Sequence, residues 1–514
     1  MKLTLTTLLS ITAASAYLLP VNIPNSQEIF SLKSPNANEG ALSNDNTPYN
    51  ELPLIETEKL QDLITLDALN ESAIELYNIA TSSVKNYGHP TRVIGSPGHW
   101  KTIGYIIKEL KELSNYFTFT TQEFKALDGK VFSYSLSVND TKVEQVKPFQ
   151  LTPAAHVAGG ELVAAKNNGC AKEDYEGLDP SKNQVVLVQR GVCPFGDKSN
   201  IAGELGAKAV LIYDHTDGES LISGTLGEPT NHTIGTLGIQ RNFALALLEL
   251  VAAGEKVPVD VIIDAYVGLI KTKNVIAETI EGDHENVVAL GAHSDSVEAG
   301  PGINDDGSGT ISLLAVAKQL TKFKINNAVR FAWWAAEEEG LLGSNYYTQT
   351  LSAEENQKIR LFMDYDMMAS PNFEYQVYNG SNAVNPKGSE EIKNLYIDWY
   401  EEHGKNWTLI PFDGRSDYVG FIENGIPGGG IAAGAEGKNS QNGKVLDQCY
   451  HLLCDDLTNL NWDAFLTNTK LIAHSVAVYA KDLSNFPSRE TFAVTSESSL
   501  GHEPFEYKGS HLFL

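Results

Sequence analysis

Three near-continuous apolar stretches in the second half of the chain most constrain its fold. They are VVALGAH at 287–293, NAVRFAWWAAE at 327–337 and IRLFMDYD at 359–366. Strands that are buried on both faces of a parallel sheet have this character, whereas strands with one solvated face alternate apolar and polar residues. The first two stretches are each followed by a polar loop and a helical pattern, GTISLLAVAKQLTKF and LLGSNYYTQT. The sequence therefore predicts an α/β fold with a largely parallel central sheet.

The region before these strands changes character twice. From residue 56 to about 150 the pattern is first helical, in LITLDALNESAIELYNIA and HWKTIGYIIKELKEL, and then strand-like, in FTFTTQEF and VFSYSLSV. Residues 151–265 instead contain short β runs, such as QVVLVQRG and AVLIYDH, with one helical segment at 199–206. Because the α/β alternation resumes afterwards, we interpret 151–265 as an inserted, mainly β domain. It would divide the main domain into residues 56–150 and 266–486.

The two ends of the chain carry features of targeting and processing. A positively charged start, a short apolar segment and the small residues Ala14-Ser15-Ala16 predict a signal peptide over residues 1–16. Residues 17–55 are rich in proline, asparagine and serine, which indicates a pro-segment or linker, and residues 487–514 form a polar C-terminal tail. No other segment is long and apolar enough to span a bilayer. We therefore expect a secreted protein without a membrane anchor, with the vacuole as the alternative destination.

The charge of the chain narrows the class of partner. The formal net charge is −27 and the sequence pI is near 4.8. Nucleic acids and anionic membranes bind basic surfaces, so we expect neither as a partner. We expect the protein to act as a monomer.

The cysteines and sequons fit passage through the secretory route. Four cysteines allow three disulfide connectivities, and we favour the local pairing of Cys170 with Cys193 and of Cys449 with Cys454. Five N-x-[ST] sequons are candidate glycosylation sites. Their asparagines are Asn70, Asn139, Asn231, Asn379 and Asn406.

Polar clusters stand at or just after the ends of the predicted strands. The clusters are His293-Ser294-Asp295, Asn304-Asp305-Asp306-Gly307, Glu337-Glu338-Glu339-Gly340 and Asp364-Tyr365-Asp366, with Cys449-Tyr450-His451 in a later loop. In open α/β sheets the functional groups lie beyond the carboxyl ends of the strands. Imidazole and carboxylate ligands without thiolate suit zinc or a similar divalent ion. A hydrolytic pair of such ions needs a bridging carboxylate and a further carboxylate as general base. These residues predict a metal hydrolase.

Each cluster by itself has a simpler explanation. A lone histidine at a strand end is more often a capping or core residue than a ligand. The acidic run 337–339 could start a helix, where negative charge suits the helix dipole, and Asp305-Asp306 could form a turn with an N-cap. Acids directly after the apolar run FAWWAA are nevertheless costly to bury without a cation. Four such clusters on one sheet therefore favour the metal site.

Five motifs in one order resemble the M28 family of zinc aminopeptidases. They are AHSDSV, PGINDDGSG, AAEEEGLLGS, DYDMMASPN and CYHLLCD. TRVIGSPGHW, early in the chain, extends the resemblance, and GVCPFGDK in the insert is similar to a protease-associated (PA) domain. The resemblance implies a three-layer α/β/α zinc-peptidase domain with a mixed, largely parallel central sheet, plus an inserted, mainly β PA domain.

The resemblance also implies a site for two Zn²⁺ ions per chain. His293 and Asp366 would bind one ion, and Glu338 and His451 would bind the other, with Asp305 as the bridge between them.

The acidic runs leave the choice of two ligands open by one residue. Asp306 and Glu339 lengthen the runs where relatives often have other residues. The glycines that follow each run fix the register that favours Asp305 and Glu338.

Further roles follow from the same resemblance. Glu337 would be the general base, and Asp295 would orient the imidazole of the first histidine ligand. Tyr450 would donate a hydrogen bond to the developing oxyanion. Arg415 and Asp417, in GRSDY, would line the cleft. The two cysteines of CYHLLCD would form a disulfide that braces their loop.

The predicted function is removal of N-terminal residues from peptides with a free N-terminus by a zinc metalloexopeptidase. Two alternatives stay open from the sequence. A glutamate-type carboxypeptidase of the same superfamily would need basic residues to bind a substrate carboxylate, and Arg415 is the main candidate. A catalytically inactive binding protein would have lost metal ligands, whereas all five are present.

Overall fold

The computed structural model describes residues 47–215, 221–222, 224–227, 229–381 and 386–489. The predicted signal peptide, most of the predicted pro-segment and all but the first residues of the predicted C-terminal tail lie outside these ranges. Within them, the α-helices are α1 Thr57–Asp62, α2 Leu66–Thr81, α3 Val84–Tyr87, α4 Pro97–Glu112, α5 Phe195–Glu204, α6 Arg241–Ala252, α7 Gly307–Leu320, α8 Leu342–Thr350, α9 Ala353–Lys358, α10 Ser389–Glu402, α11 Tyr418–Glu423 and α12 Trp462–Lys481.

The strands join into one long sheet. Within the same ranges they are β1 Phe117–Val138, β2 Thr141–Lys142, β3 Val146–Pro148, β4 Ala155–Ala164, β5 Gln184–Gln189, β6 Ala209–Tyr213, β7 Thr236–Ile239, β8 Pro258–Thr279, β9 Asp283–His293, β10 Asn327–Trp334, β11 Ile359–Tyr365, β12 Tyr375–Tyr378, β13 Trp407–Ile410 and β14 Gly428–Ala432. The order is β13-β12-β14-β11-β9-β10-β8-β4-β5-β6-β7-β3, with β1 paired to β8.

The three apolar stretches form adjacent parallel strands at the centre of the main domain. β9 pairs in parallel with β10 on one side and with β11 on the other. β8 and β12 run antiparallel to their neighbours β10 and β14, so the sheet is mixed. This confirms the predicted α/β fold with a mixed, largely parallel central sheet.

Both faces of the central sheet are covered by helices, as the apolar runs predict. Val288 and Leu290 of β9 pack into the core on the side of α2, α4, α7, α10 and α12. Ala289, between them, packs into the core on the side of α8 and α11. The same alternation places Trp333 and Trp334 of β10 in opposite cores. The main domain therefore has three layers, α/β/α.

A long two-stranded ribbon connects the main domain to the insert. The two strand-like stretches before the insert are a single 22-residue strand, β1, which pairs with the 22-residue β8 in an antiparallel register interrupted at one point. Continuous pairing with β8 carries β1 across the sequence LDGK, where the apolar alternation is weak. The end of β8 near Pro258 then pairs with β4 of the insert.

The insert has hydrophobic cores of its own on both sides of its strands. One core contains Val185, Leu211 and Leu237, from three neighbouring strands, and it also includes Leu136 and Val146. The latter two residues precede position 151, where the sequence patterns place the start of the insert. A helix at Phe195–Glu204 occupies the position of the predicted helical segment.

The segment just before α1 packs against the main domain. Leu52 and Ile55 are buried in its core, and the hydroxyl of Tyr49 donates to the carbonyl of Ile325 at 2.9 Å. The last residues of the region predicted as pro-segment therefore contact the folded domain.

The structure joins Cys170 to Cys193 and Cys449 to Cys454, the local pairing favoured from the sequence. Among the sequon asparagines, Asn379 is partly buried and the other four are exposed. None of the helices in the described ranges has the length and apolar character needed to cross a bilayer.

Candidate metal centre

The candidate ligands meet at the carboxyl ends of three neighbouring strands. His293 is the last residue of β9, and it lies beside Trp334, the last residue of β10. Glu337 follows β10 by three residues, and Asp366 directly follows β11. Parallel pairing places these ends at one edge of the sheet, as expected for an α/β site.

Two histidine rings face one aspartate from opposite sides. The Oδ1 atom of Asp305 lies 3.2 Å from Nε2 of His293, and its Oδ2 atom lies 3.1 Å from Nε2 of His451. Asp305 is buried in the loop that precedes α7. Each of its oxygens is therefore assigned to a different histidine, which is the arrangement a bridging carboxylate requires.

The other candidate ligands divide between the two histidines. Asp366 Oδ1 and Glu337 Oε2 each lie 3.8 Å from Nε2 of His293, whereas Glu338 Oε2 lies 3.0 Å from Nε2 of His451. The ligand atoms of Asp305, Glu338 and His451 all lie within 4.8 Å of one another. The structure thus brings together all five predicted ligands.

Asp306 has a different role from Asp305. It caps α7, because its Oδ1 accepts the N–H of Gly309 at 2.8 Å and also the N–H of Met367 at 3.1 Å. Its Oδ2 accepts the N–H of His293 at 3.1 Å. Asp306 also lies near His293 and Asp366 in a group that could hold an ion. We assign the ligand role to Asp305, because both oxygens of Asp306 already bind backbone N–H groups.

Glu338 and Glu339 both border a large cavity between the main domain and the insert, but they differ in their contacts. Glu338 Oε1 accepts the N–H of Val297 at 3.1 Å, and its Oε2 faces His451. One carboxylate oxygen of Glu339 is buried without a hydrogen-bond partner among the described residues. The geometry therefore agrees with the register that favours Asp305 and Glu338.

Asp295 lies beneath the strand ends. Its Oδ1 is 3.7 Å from Nδ1 of His293, which is longer than a direct hydrogen bond. Its two oxygens also face the backbone N–H groups of Glu337 and Glu338, at 3.4 and 3.3 Å. One buried carboxylate therefore contacts the backbone of the acidic loop and lies near the histidine without a direct hydrogen bond to it.

The centre has more buried negative charge than its two histidines neutralise. Burial raises the pKa of Glu337 well above its usual range and raises the pKa of Asp366 to about 6. In the described part of the chain, both ring nitrogens of His293 and the Oδ1 atom of Asp366 are buried without a hydrogen-bond partner. Buried groups of this kind are normally paired or bound to a cation, so the donor set fits divalent metal ions.

Tyr450 lies beside the second histidine. Its ring stacks on His451 with 3.8 Å between centroids, and its hydroxyl oxygen accepts a hydrogen bond from Nη2 of Arg415 at 3.2 Å. Arg415 also forms a two-point ion pair with Glu436 at 2.9 and 3.0 Å. The hydroxyl proton of Tyr450 stays available for a further acceptor. The loop is closed by the disulfide Cys449–Cys454.

Asp417, which the resemblance places in the cleft, is 1% exposed and does not border the pocket at the centre. It occupies the N-cap position of α11 without a side-chain hydrogen bond to that helix. Arg415, two residues earlier, does border the pocket.

Arg92 is a residue of the site that sequence reasoning did not identify. Its fully buried guanidinium donates to the carbonyls of Ser294, Pro301 and Gly302 at 2.5–2.8 Å, and to that of Asp305 at 3.4 Å. It therefore ties the segment before α4 to the single loop between β9 and α7, which carries Asp305. The only indication in the sequence was an arginine within the motif TRVIGSPGHW, and the glycines and the proline of this motif predict no more than a loop.

Asp455 and Asp447 were also missed. Asp455 accepts the backbone N–H groups of Asn304 and Asp305, each at 3.0 Å, and Asp447 accepts the side-chain amide of Asn304 at 2.7 Å. They connect the loop of Asp305 to the disulfide-closed loop of His451. For Asp455, the indication in the sequence was its place as the last residue of the motif CYHLLCD.

A small pocket opens directly on the centre. It has a volume of about 220 Å³ and is bordered by Asp305, Glu337 and Asp366. Its apolar wall is formed by Met367, Tyr378, Ile410, Pro411, Ala432 and Leu446. The pocket is large enough for one apolar side chain next to the candidate ligands.

Comparison with protein families identifies both domains. Residues 274–476 match Peptidase family M28, and residues 158–247 match the PA domain. The second match lies inside the region interpreted as an insert.

Similar proteins extend over most of the chain. Aminopeptidase Y of Saccharomyces cerevisiae is 58% identical over 450 residues, which cover 86% of this chain and 84% of that protein. The probable leucine aminopeptidase 2 of Aspergillus oryzae is 40% identical over 470 residues, 88% of this chain and 92% of that protein.

Solved structures agree with the fold. The aminopeptidase from Aneurinibacillus sp. strain AM-1 superposes with a TM-score of 0.70 at 25% identity, covering 86% of this chain and 99% of that one. BSAP, a zinc aminopeptidase from Bacillus subtilis, superposes with a TM-score of 0.61 at 22% identity, covering 82% of this chain and 98% of that one, and shows the same fold. This chain, with its strand-end histidine and carboxylates and its PA domain, is a peptidase and belongs to peptidase family M28.

Proposed function

We propose that this peptidase is an aminopeptidase that uses two zinc ions to remove N-terminal residues from peptides. The observation that carries the proposal is the position of Asp305, whose two oxygens face His293 and His451 separately. Asp366 completes the ligand set of the first histidine, and Glu338 completes that of the second. The names of the similar aminopeptidases support the substrate class.

The donor set suits zinc, because it consists of imidazole and carboxylate groups in a buried position without thiolate. Zinc bound by these residues would supply Lewis acidity, lowering the pKa of water towards neutrality and polarising a carbonyl. A carboxylate shared by two histidine half-sites offsets the repulsion between two cations. With a single ion in this arrangement, one histidine and one carboxylate would have no cation to bind.

Glu337 is placed to act as general base. Its carboxylate lies on the wall of the small pocket, 3.8 Å from the imidazole of His293, and it faces Asp305 and Asp366 across the centre. From there it would take a proton from the attacking water and return it to the leaving amine. Asp295 would hold the loop of Glu337 in place through its backbone N–H contacts.

Tyr450 would stabilise the oxyanion that develops on the scissile carbonyl. Arg415 donates to its hydroxyl oxygen, which fixes the oxygen and directs the hydroxyl proton elsewhere. Stacking on His451 keeps the ring beside the candidate metal ligands. A donor held in this way needs no rearrangement as charge develops.

The surroundings of the small pocket favour an exopeptidase. Glu337 and Asp366 would bind the free α-ammonium of the substrate, and the enclosed apolar wall would accept a single side chain such as leucine. A peptide with residues before the first one would have to pass through this wall. Peptides with a blocked N-terminus should therefore be poor substrates.

The carboxypeptidase alternative requires a basic residue that is free to bind a substrate carboxylate. Arg415, its main candidate, is engaged in a two-point ion pair with Glu436 and in a hydrogen bond to Tyr450. The alternative of an inactive protein is disfavoured by the convergence of all five ligand side chains. Both observations support the aminopeptidase.

Two measurements test the proposal. Metal analysis of the purified protein should find two zinc ions per chain, and a value near one would contradict the shared site. Leucyl peptides should be hydrolysed from a free N-terminus, whereas their N-acetylated forms should not. Faster cleavage of the acetylated peptides would support the carboxypeptidase instead.

We also propose the export route and domain limits predicted from the sequence. The signal peptide at 1–16, the pro-segment at 17–55, the insert at 151–265 and the secreted destination, with the vacuole as alternative, all follow from sequence patterns. Exposure of four sequon asparagines is compatible with glycosylation. N-terminal sequencing and glycosidase treatment of the native protein would test these points, and its mass in solution would test the predicted monomer.

A further inference from the structure

A second, larger cavity borders the metal centre on the side of the PA domain. Its volume is about 620 Å³, in the range of binding sites for small ligands. One wall is the β1–β8 ribbon, another is the segment 148–151 that leads into the insert, together with Thr225 and Gly227 of the insert, and a third is the acidic loop at 338–340. Glu338 belongs to this wall and also faces His451. The cavity, which we name the interdomain cavity, therefore shares a wall with the candidate metal site.

The charges along the interdomain cavity are mostly negative. Besides Glu338, three carboxylates line it, Asp128, Glu298 and Glu339, against one lysine, Lys125. The ammonium of Lys130 lies 3.5 Å from a carboxylate oxygen of Glu298, and it also lies over the ring of Tyr87, 3.7 Å from the ring centroid. One carboxylate oxygen of Glu339 is buried and has no hydrogen-bond partner among the described residues. The cavity thus has an excess of acidic groups facing an enclosed space.

Asp128 is the acidic group of this cavity that lies farthest in sequence from the candidate ligands. It lies on β1, opposite Gly268 of β8. Burial and the neighbouring carboxylate of Glu298 raise its pKa above the usual range. Lys130, which lies 3.5 Å from Glu298, offsets part of this rise, and a further cation in the cavity would offset more of it.

The small pocket and the interdomain cavity differ in size, so they suit different parts of a peptide. The small pocket of about 220 Å³ has room for one side chain beside Glu337. The interdomain cavity is nearly three times larger, has apolar side chains such as Leu127 and Phe149 among its acids, and reaches the centre at Glu338. A peptide whose first residue occupies the small pocket would continue past Glu338 into the larger space.

We propose that the interdomain cavity binds the residues after the scissile bond, and that Asp128 and Glu298 favour lysine or arginine as the second residue of the substrate. This inference rests on the proposed aminopeptidase function. It gives the insert a role in the choice of substrate, because Leu151, Thr225 and Gly227 of the insert line the cavity.

A competition assay tests this preference. Leu-Lys-Ala and Leu-Gln-Ala are mixed with one enzyme, and the ratio of their kcat/KM values is read from the two rates of cleavage. Both peptides meet the same active sites, so the ratio does not depend on the fraction of folded enzyme. The wild type should favour Leu-Lys-Ala at least about fivefold, as expected for one partly exposed ion pair. The preference should weaken with added salt.

The variant Asp128→Asn/Glu298→Gln removes both acidic side chains and should bring the ratio within about twofold of unity. The matched control is Glu249→Gln/Glu255→Gln, which makes the same change in net charge at two exposed positions of the insert that do not line the cavity. This control should keep the wild-type ratio. A similar loss in both double variants would mean that overall charge sets the preference, which would overturn the proposal.

Two further results would also overturn it. One is a wild-type ratio near unity, or one that Asp128→Asn/Glu298→Gln leaves unchanged. The other is a change confined to the first residue, measured with Lys-Leu-Ala against Gln-Leu-Ala, since the interdomain cavity would then hold the first side chain. Failure of the aminopeptidase proposal itself is distinct, because Leu-Gln-Ala would then release no N-terminal leucine.

Discussion

At the scale of single residues, two adjacent aspartates perform separate tasks. Asp305 presents both oxygens to histidines, whereas Asp306 binds three backbone N–H groups from three segments of the site. From the sequence alone the two are nearly equivalent, and only the glycine register separates them. Their different surroundings lead to different expected effects of the same substitution.

Asp305→Asn and Asp306→Asn remove the same charge, so comparing them distinguishes a metal ligand from a residue that holds the backbone in place. Asp305→Asn should lower zinc content below two per chain and weaken metal affinity at least about 100-fold, because an amide cannot offset the repulsion between two ions. Asp306→Asn should instead cost about 1–3 kcal/mol of folding stability, since an amide has one acceptor oxygen for three N–H groups. Metal analysis and thermal unfolding would measure both. Equal zinc loss with equal stability in the two variants would contradict this division.

Glu337 gives a second prediction at this scale. Glu337→Gln should lower kcat on a leucyl amide by about 100-fold or more, because the amide cannot accept the proton of water. Zinc content should stay at the wild-type level, since Glu337 is not among the proposed ligands. A fall of less than about tenfold with zinc retained would exclude Glu337 as the general base.

At the scale of elements, loops that are distant in sequence are held together by buried polar contacts. Arg92, from the segment before α4, binds the loop between β9 and α7, and Asp455 joins this same loop to the disulfide loop. These contacts form between side chains and backbone atoms, so the spacing of residues in the sequence does not predict them. The strands and helices that carry the loops were, in contrast, readable from apolar periodicity.

The contact of α1 with α12 predicts a pH dependence of stability. His474 Nδ1 lies 2.6 Å from the hydroxyl of Thr57, and burial, together with nearby His403, lowers the pKa of His474 to about 4. The unfolded chain would take up a proton near pH 6.5, whereas the folded chain would not until about pH 4. This group should therefore cost stability as the pH falls through that interval, by about 1–2 kcal/mol at pH 5.

His474→Gln keeps a neutral polar side chain and removes this titration. The difference in Tm between pH 7 and pH 5 should be smaller in the variant than in the wild type. Part of the acid sensitivity should persist, because burial also lowers the pKa of His99 to about 4. An unchanged pH dependence would show that His474 does not titrate between these limits.

At the scale of the whole molecule, the sheet runs through both domains without interruption. β8 pairs with β10 of the main domain at one end and with β4 of the insert at the other. The PA domain is thus attached by a rigid ribbon that also forms a wall of the interdomain cavity. Its position next to the centre follows from this continuity of pairing.

Removal of the metal should lower the stability of the entire main domain. The proposed ligands come from four loops between positions 293 and 451, so bound zinc would hold these segments together. Ions that bind only the folded state at about 1,000 times their Kd contribute about 4 kcal/mol per site. Treatment with a chelator should lower Tm by several degrees in calorimetry, and added zinc should restore it. An unchanged Tm after zinc loss would show that the loops are stable without metal.

Much of the fold and most of the candidate site could be predicted from the sequence for a local reason. Apolar runs that are buried on both faces identify β9, β10 and β11 wherever they lie, and the polar residues that follow them must meet at one edge of the sheet. His293, Glu337, Glu338 and Asp366 are therefore readable from their places after strands. His451 could be recognised as a loop histidine, but its place beside these residues rested on the resemblance to a family, because its loop follows no strand.

Only the tertiary structure decided which neighbouring acid faces which partner. Adjacent residues such as Asp305 and Asp306, or Glu338 and Glu339, have different contacts, and their surroundings come from segments more than 200 residues away. The burial of Asp417, the contacts of Arg92 and the interdomain cavity have the same origin. Apolar periodicity is a property of consecutive residues, whereas these features depend on the distances between segments that the folded sheet brings together.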